Sequence, residues 1–148
     1  MWASLIAVLG TLAGAIVAGV MQQRMTRTAL REARADERRR DAVQAITDLT
    51  VALAAHRKAM WLREDLRLRG EDWTEARTAS HATRDAVTAP QTAVRILTPE
   101  LAAAADDAVR ATYALRGAAD TETLAALRED ALAATEDFTS AAGRALAA

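Results

Sequence analysis

Two histidines, three tryptophans and one run of three arginines are the residues of this chain with the widest chemical reach. Zinc chemistry needs three or four converging ligands. His56 and His81 stand 25 residues apart, and neither has around it the set of histidines or carboxylates at ligand spacing that such a site needs. The chain has no cysteine, so thiolate zinc sites, redox pairs and disulfide scaffolds are excluded. His56 falls on an apolar stripe, which predicts a satisfied core or boundary histidine. His81 has Asp85 one turn later, a spacing suited to a surface hydrogen bond. Neither a phosphate-cradling glycine loop nor a nucleophile elbow is present. Asp106-Asp107 and Glu129-Asp130 read as solvated faces. The chemistry predicted is therefore none: no catalytic residues, no metal, no cofactor and no enzyme.

Arg38-Arg39-Arg40 is the densest basic run, and Asp36, Glu37 and Asp41 flank it and cancel much of its field. No helix-turn-helix spacing surrounds it, so nucleic acid is not an expected partner. The run reads as part of a charged stalk. Trp61 and Trp73 flank a predicted turn at Gly70, with Leu62, Leu66 and Leu68 nearby. They are expected to cap a hydrophobic core there, or to form a candidate partner-binding tip.

Which elements hold these residues is decided by composition and periodicity. Of 148 residues, 51% are apolar but only 3% aromatic, and Gly plus Pro total 8. Alanine alone supplies 39 positions. Alanine favours helix, whereas strands need the aromatic and β-branched residues that are thinly spread here. The fold class predicted is all-α. The net charge of −1 hides a basic half and an acidic half, since residues 22–69 sum to +5 and residues 70–148 to −6.

Residues 2–21 carry no ionisable side chain. Twenty helical residues extend about 30 Å, the thickness of a bilayer hydrocarbon core. A signal peptide would need a basic stretch before the apolar run, and none precedes Trp2. Residues 1–21 therefore read as a single transmembrane anchor. Arg24, Arg27, Arg31 and Arg34 come closely after it, which puts the N-terminus outside and the C-terminal domain in the cytoplasm. Trp2 would sit at the outer interface. Gly10 and Gly14 form a G-x-x-x-G pair, and Ala3, Ala7 and Ala18 extend that small-residue face, a geometry suited to self-association in the membrane.

From Gln22 to Arg69 there is neither Gly nor Pro. Residues 22–41 are almost wholly polar and predict a charged helical stalk, continuous with the first helix of a bundle. Residues 42–148 predict an antiparallel four-helix bundle with helices near 42–69, 72–97, 99–116 and 121–146. Val43, Ile46, Leu49, Leu53 and Met60 make the first stripe. Trp73, Ala76, Ser80, Thr83, Val87, Val94 and Leu97 line the second helix, which Pro90 should kink or interrupt. Leu101, Ala104, Ala105, Ala108, Thr112 and Leu115 face inward from the third. Leu124, Leu127, Ala131, Phe138 and Ala142 do so from the fourth. Gly70 and Gly117 close helices, Thr98-Pro99-Glu100 restarts one with a capping hydroxyl, and Asp120 caps the last. Alanine-rich faces bury little area per residue, so a homo-oligomer is expected.

The opening MWASLIAVLGTLAGAIVAG, the QQR after it with its Arg-rich stalk, and the later segments LTPELAAAADDAVRATYALRGAAD and LREDALAATEDFTSAAGRAL resemble the KilB-like, or plasmid spread, small membrane proteins of actinomycete conjugative plasmids. The resemblance implies a non-enzymatic membrane factor, an oligomeric scaffold or accessory protein in plasmid transfer, with a membrane-associated transfer protein as a partner and toxicity when unregulated. A holin-like, membrane-permeabilising protein is the alternative. A continuous rod like the b subunit of ATP synthase is disfavoured by Gly70, Pro90, Pro99 and Gly117.

Overall fold

The computed structural model describes the backbone of residues 2–147, and the side chains of residues 21–147 apart from Arg24. Four α-helices run α1 (Trp2–Leu68), α2 (Thr74–Leu97), α3 (Ala102–Tyr113) and α4 (Thr121–Ala147), with a short 3-10 turn over Pro99–Leu101 before α3. Among the described residues there is no strand, as the composition predicts. The chain divides into two units, residues 1–38 and residues 39–148.

In the first unit, every described side chain from Met21 to Arg38 is exposed. That is what an almost wholly polar helix must do, because it has no apolar face to bury. Among the described residues no helix is long and apolar enough to cross a membrane. The predicted anchor is residues 1–21, and all of it but Met21, including the Gly10, Gly14 and Ala18 face, lies outside the described side chains.

The second unit is an up-and-down arrangement whose register can be read from cross-helix contacts. His56 of α1 meets Thr83 of α2, and Arg63 lies over Trp73 at the start of α2. Arg84 of α2 lies over Tyr113 of α3, while Gln91 and Arg95 further along α2 hold Asp106, earlier in α3. Arg39 reaches the Leu146 carbonyl near the end of α4, and Arg57 meets Thr135 further back along it. Sequence order rises on one partner as it falls on the other, so α1 is antiparallel to both α2 and α4, and α2 to α3.

The core has two clusters. Ile46, Leu49 and Leu53 pack with Val87, Val94, Leu101, Ala105, Ala108, Phe138 and Ala142, while Met60 packs with Leu115, Ala118, Leu124 and Ala131. The buried face of α1 departs from the predicted stripe. Ala42, Ala45 and Ala52 are buried, and Val43 is 44% exposed. Val43 sits roughly 120° round the helix from the middle of that face. Alanines at the edges let neighbouring helices approach closely, so packing selected them over the larger valine. Val109 and Thr135 join the core, and Leu97 is exposed. Buried hydroxyls are satisfied locally: Ser80, Thr98, Thr112 and Thr135 each donate to a carbonyl one turn back.

Boundary chemistry obeys local rules with two exceptions. Gly70 and Gly117 take φ of +71° and +78°, the left-handed conformation that ends a helix. The Thr123 N–H donates to Asp120 Oδ1 at 2.7 Å, so Asp120 caps α4 as predicted. The first exception is Thr98, whose hydroxyl donates back to the Val94 carbonyl at 2.9 Å instead of capping the next helix. The second is Pro90. It lies inside α2 without interrupting it. The acceptor that loses its donor is the carbonyl of Ala86, an exposed residue, so water can replace the missing bond.

Candidate functional site

The end of the bundle around the C-terminus of α1 concentrates its unusual side chains. Glu64 continues the α1 stripe one turn past Met60 and is only 1% exposed. Arg67 Nε donates to Glu64 Oε2 at 2.6 Å, and Arg63 Nε lies 3.5 Å from Oε1. Arg67 also donates to the Ala118 carbonyl at the α3–α4 connection. The carboxylate thus ties the end of α1 to the turn between the last two helices. Arg63 Nε and Glu64 Oε1 are buried without a hydrogen bond, so their 3.5 Å separation is an ion pair alone.

Two arginines hold that acid, and more positive charge stands behind one of them. Burial, then the charges of Arg116, Arg77 and Arg67, hold the Arg63 pKa below the usual arginine value against the opposing pull of Glu64. Arg84 and Arg63 border His56. His56 is 2% exposed, its Nδ1 is 3.0 Å from Thr83 Oγ1, and its ring meets Tyr113 edge-on at 5.2 Å. Burial, then the charges of Arg84 and Arg63, push its pKa down to about 4. It is a satisfied core histidine. His81 and Asp85 are both exposed, and no hydrogen bond joins them. Among the described residues no group of three or more His, Asp or Glu could hold a metal ion.

The two tryptophans occupy different faces. Trp61 is half-buried against the Met60 cluster, with the Arg128 guanidinium 5.4 Å from its ring centre. Trp73 lies between Arg63 at 5.3 Å and Arg77 at 5.6 Å. Positions 61 and 63 point about 200° apart around α1, so Trp61 belongs to the α4 side and Trp73 to the α2 side. Leu62 is exposed beside them, and Leu68 packs on the core.

Trp61 has company that its sequence neighbourhood does not reveal. With Ala54, Arg57, Lys58 and Arg128 it lines a groove of about 470 Å³. The signal available in the sequence is Lys58, the chain's only lysine, next to an arginine and one turn before a tryptophan. Arg128 can be added only by knowing the α1–α4 register. Of the Arg38–Arg40 run, Arg39 donates to the Leu146 carbonyl at 2.8 Å, where a cation suits a helix C-terminus.

The profile of the KilB plasmid transfer protein family matches residues 43–146, which is the bundle. The chain belongs to the KilB plasmid transfer family. A curated relative, Protein KilB of Streptomyces lividans, is 52% identical over 144 residues, covering 95% of each chain. The sequence resemblance is therefore correct. No solved structure matches the chain. KilB membership gives the buried Glu64, the arginines around it and the Trp61 groove a setting in plasmid transfer, and the family name carries no catalytic role.

Proposed function

We propose that this KilB-family protein is a non-enzymatic, membrane-anchored accessory factor of conjugative plasmid transfer. Residues 1–21 are the anchor, with the N-terminus outside, and the bundle is a cytoplasmic scaffold that works as a homo-oligomer beside a membrane-associated transfer protein. The observation that carries this reading is the joining of two features in one chain. A charge-free run of twenty residues, with four arginines in the next thirteen, precedes the stretch that matches the family. An alanine-dominated core supports the oligomer, because each buried alanine removes little apolar area and association adds more.

Topology is directly testable because the chain has no cysteine. Trp2→Cys, at the outer interface, and Thr121→Cys would each supply the sole thiol in the full-length protein. A membrane-impermeant maleimide applied to intact cells should label Trp2→Cys, and should label Thr121→Cys only after lysis. Labelling of Thr121→Cys in intact cells overturns the orientation, and release of the protein from membranes by alkaline carbonate overturns the anchor. Deletion of the encoding sequence from its plasmid should lower transfer or spread, and complementation by the full chain should restore it. Wild-type transfer in the deletion overturns the functional reading.

A further inference from the structure

The groove between α1 and α4 is lined by three cations, an indole and one alanine, with no carboxylate among its lining residues. Such a concentration of one sign in a bundle whose residues 39–148 sum to −3 needs a cause. Acidic neighbours do not neutralise it. Arg57 makes one side-chain contact, to the neutral Thr135 hydroxyl at 3.5 Å, and Lys58 has no ion pair among the described residues. Arg128 touches only the carboxylate of its own neighbour Glu129, at 3.3 Å, and otherwise lies over Trp61. The nearby acids of α1 are engaged elsewhere: Glu64 holds Arg67 at 2.6 Å, and Asp65 holds Arg69 at 2.7 Å. Arg57 and Arg128 bear on each other closely enough to add to the electrostatic strain on Arg57. Two guanidiniums on facing helices thus converge without an anion between them.

We propose that this groove is a binding site for a phosphate ester or polyphosphate, held by Arg57, Lys58 and Arg128. Two features favour phosphate over a peptide carboxylate. Arginine forks match the multiple oxygens of a phosphate in paired hydrogen bonds, while a lysine adds a point charge. The cations also converge on one compact space instead of spreading along a strip, as an extended acidic peptide would require. A volume of about 470 Å³ lies within the usual range for small-molecule sites, roughly 300–1,000 Å³. Trp61 forms the apolar wall, and Arg128, lying over its ring, is pre-placed for the anion. The site goes beyond the transfer reading and stands without it. Phosphate could come from a soluble nucleotide or from a lipid headgroup, and the chemistry at the groove is the same.

Lys58 makes the test specific, because it is the only lysine and its acylation by an amine-reactive reagent reports this groove alone. The full chain in neutral detergent would be labelled with and without pyrophosphate, and the Lys58 peptide quantified by mass spectrometry. Pyrophosphate should slow acylation of Lys58 at least fivefold, and a hexaglutamate peptide at equal charge should slow it less than twofold. Arg57→Gln with Arg128→Gln should abolish the protection. Lys58→Gln, at an exposed position, should weaken pyrophosphate binding at least fivefold by calorimetry, which tests the site even if the double variant fails to fold. A parallel arm places the chain in phosphatidylcholine vesicles with or without phosphatidylglycerol. Protection by the anionic lipid and not by pyrophosphate identifies a headgroup; protection by pyrophosphate identifies a soluble ligand. The site is overturned if neither protects Lys58, if hexaglutamate matches pyrophosphate, or if binding survives the substitutions.

Discussion

His56 Nδ1 lies 3.0 Å from Thr83 Oγ1, and that hydroxyl is itself within 3.1 and 3.2 Å of the Ala79 and Ser80 carbonyls. A hydroxyl has one proton, so when a helix carbonyl takes it, the contact is a hydrogen bond with the hydrogen on His56 Nδ1. The imidazole is neutral, buried and faced by Arg84, Arg63 and the edge of Tyr113. Protonating it would put a third positive charge into that space.

Stability should therefore depend on pH through His56. Its pKa is depressed to about 4 in the fold from an ordinary 6.5, so the unfolded chain binds more protons between those values. Stability falls as pH drops from about 6.5 to about 4, and the loss levels off below that. The magnitude is about 2–3 kcal/mol over the window. Denaturant titrations of the full chain at pH 7, 6, 5 and 4 should show this slope, and His56→Gln should flatten it. Carboxylates that titrate near pH 4 add to the slope in both proteins, so the difference between the two curves is the quantity to compare. Identical slopes would remove the assignment.

Glu64 is a buried acid paired with Arg63 and Arg67. Removing its charge leaves Arg63 facing Arg116, Arg77 and Arg67 without compensation, and breaking a buried pair from one side costs about 3–5 kcal/mol. Glu64→Gln keeps the shape and should destabilise the fold by about 3 kcal/mol. A companion change of the exposed pair, Arg110→Ala, should cost less than about 1 kcal/mol. Thermal melts of both variants at pH 7 check the contrast, and equal shifts would mean that Glu64 is no better insulated than a surface acid.

Phe138 is the chain's only phenylalanine and is fully buried in the core cluster that also holds Leu49, Leu53, Ala105 and Ala108. The surrounding structure closes only part of the space it would leave. Phe138→Ala should cost about 3–5 kcal/mol. Leu132 on the same helix is only partly buried, and its truncation should cost clearly less. Urea midpoints with unchanged slope distinguish a lost cavity filling from a changed denatured state.

How much of this is legible in the sequence depends on whether one helix or several decide the matter. Helix boundaries are set locally, by Gly70, Gly117, Asp120 and the Thr98-Pro99 restart, and these appear at or near the predicted places. Val43 reads as core because hydrophobicity ranks valine above alanine, whereas close helix approach selects Ala42 and Ala45. Thr98 reads as a forward cap, but its hydroxyl finds the carbonyl behind it. Glu64 has a visible signal, since it extends the spacing of Leu53, His56 and Met60. The arginines of α2 and after α3 that bear on its partner Arg63 have none. The Trp61 groove is hidden for the same reason: Arg128 is 67 positions from Trp61, and only the α1–α4 register joins them. Trp61 and Trp73, close in sequence, lie on different faces, the first with Arg128 of α4 and the second with Arg77 of α2.

The small-residue face of the proposed anchor gives the remaining prediction. Gly10 and Gly14 are one turn apart and lie on the face shared with Ala18. Without side chains, two such helices can bring their backbones into contact, and packing of this kind is what drives association inside a bilayer. Leucines at both positions would hold the helices apart while leaving the segment just as apolar. Gly10→Leu with Gly14→Leu should therefore keep the protein in the membrane and lower its self-association signal in a membrane reporter by at least threefold. Val8→Leu with Leu12→Ile, off that face, should leave the signal within a factor of about 1.5. If the double leucine variant associates as well as the parent, the proposed oligomer must be built by the bundle and not by the span.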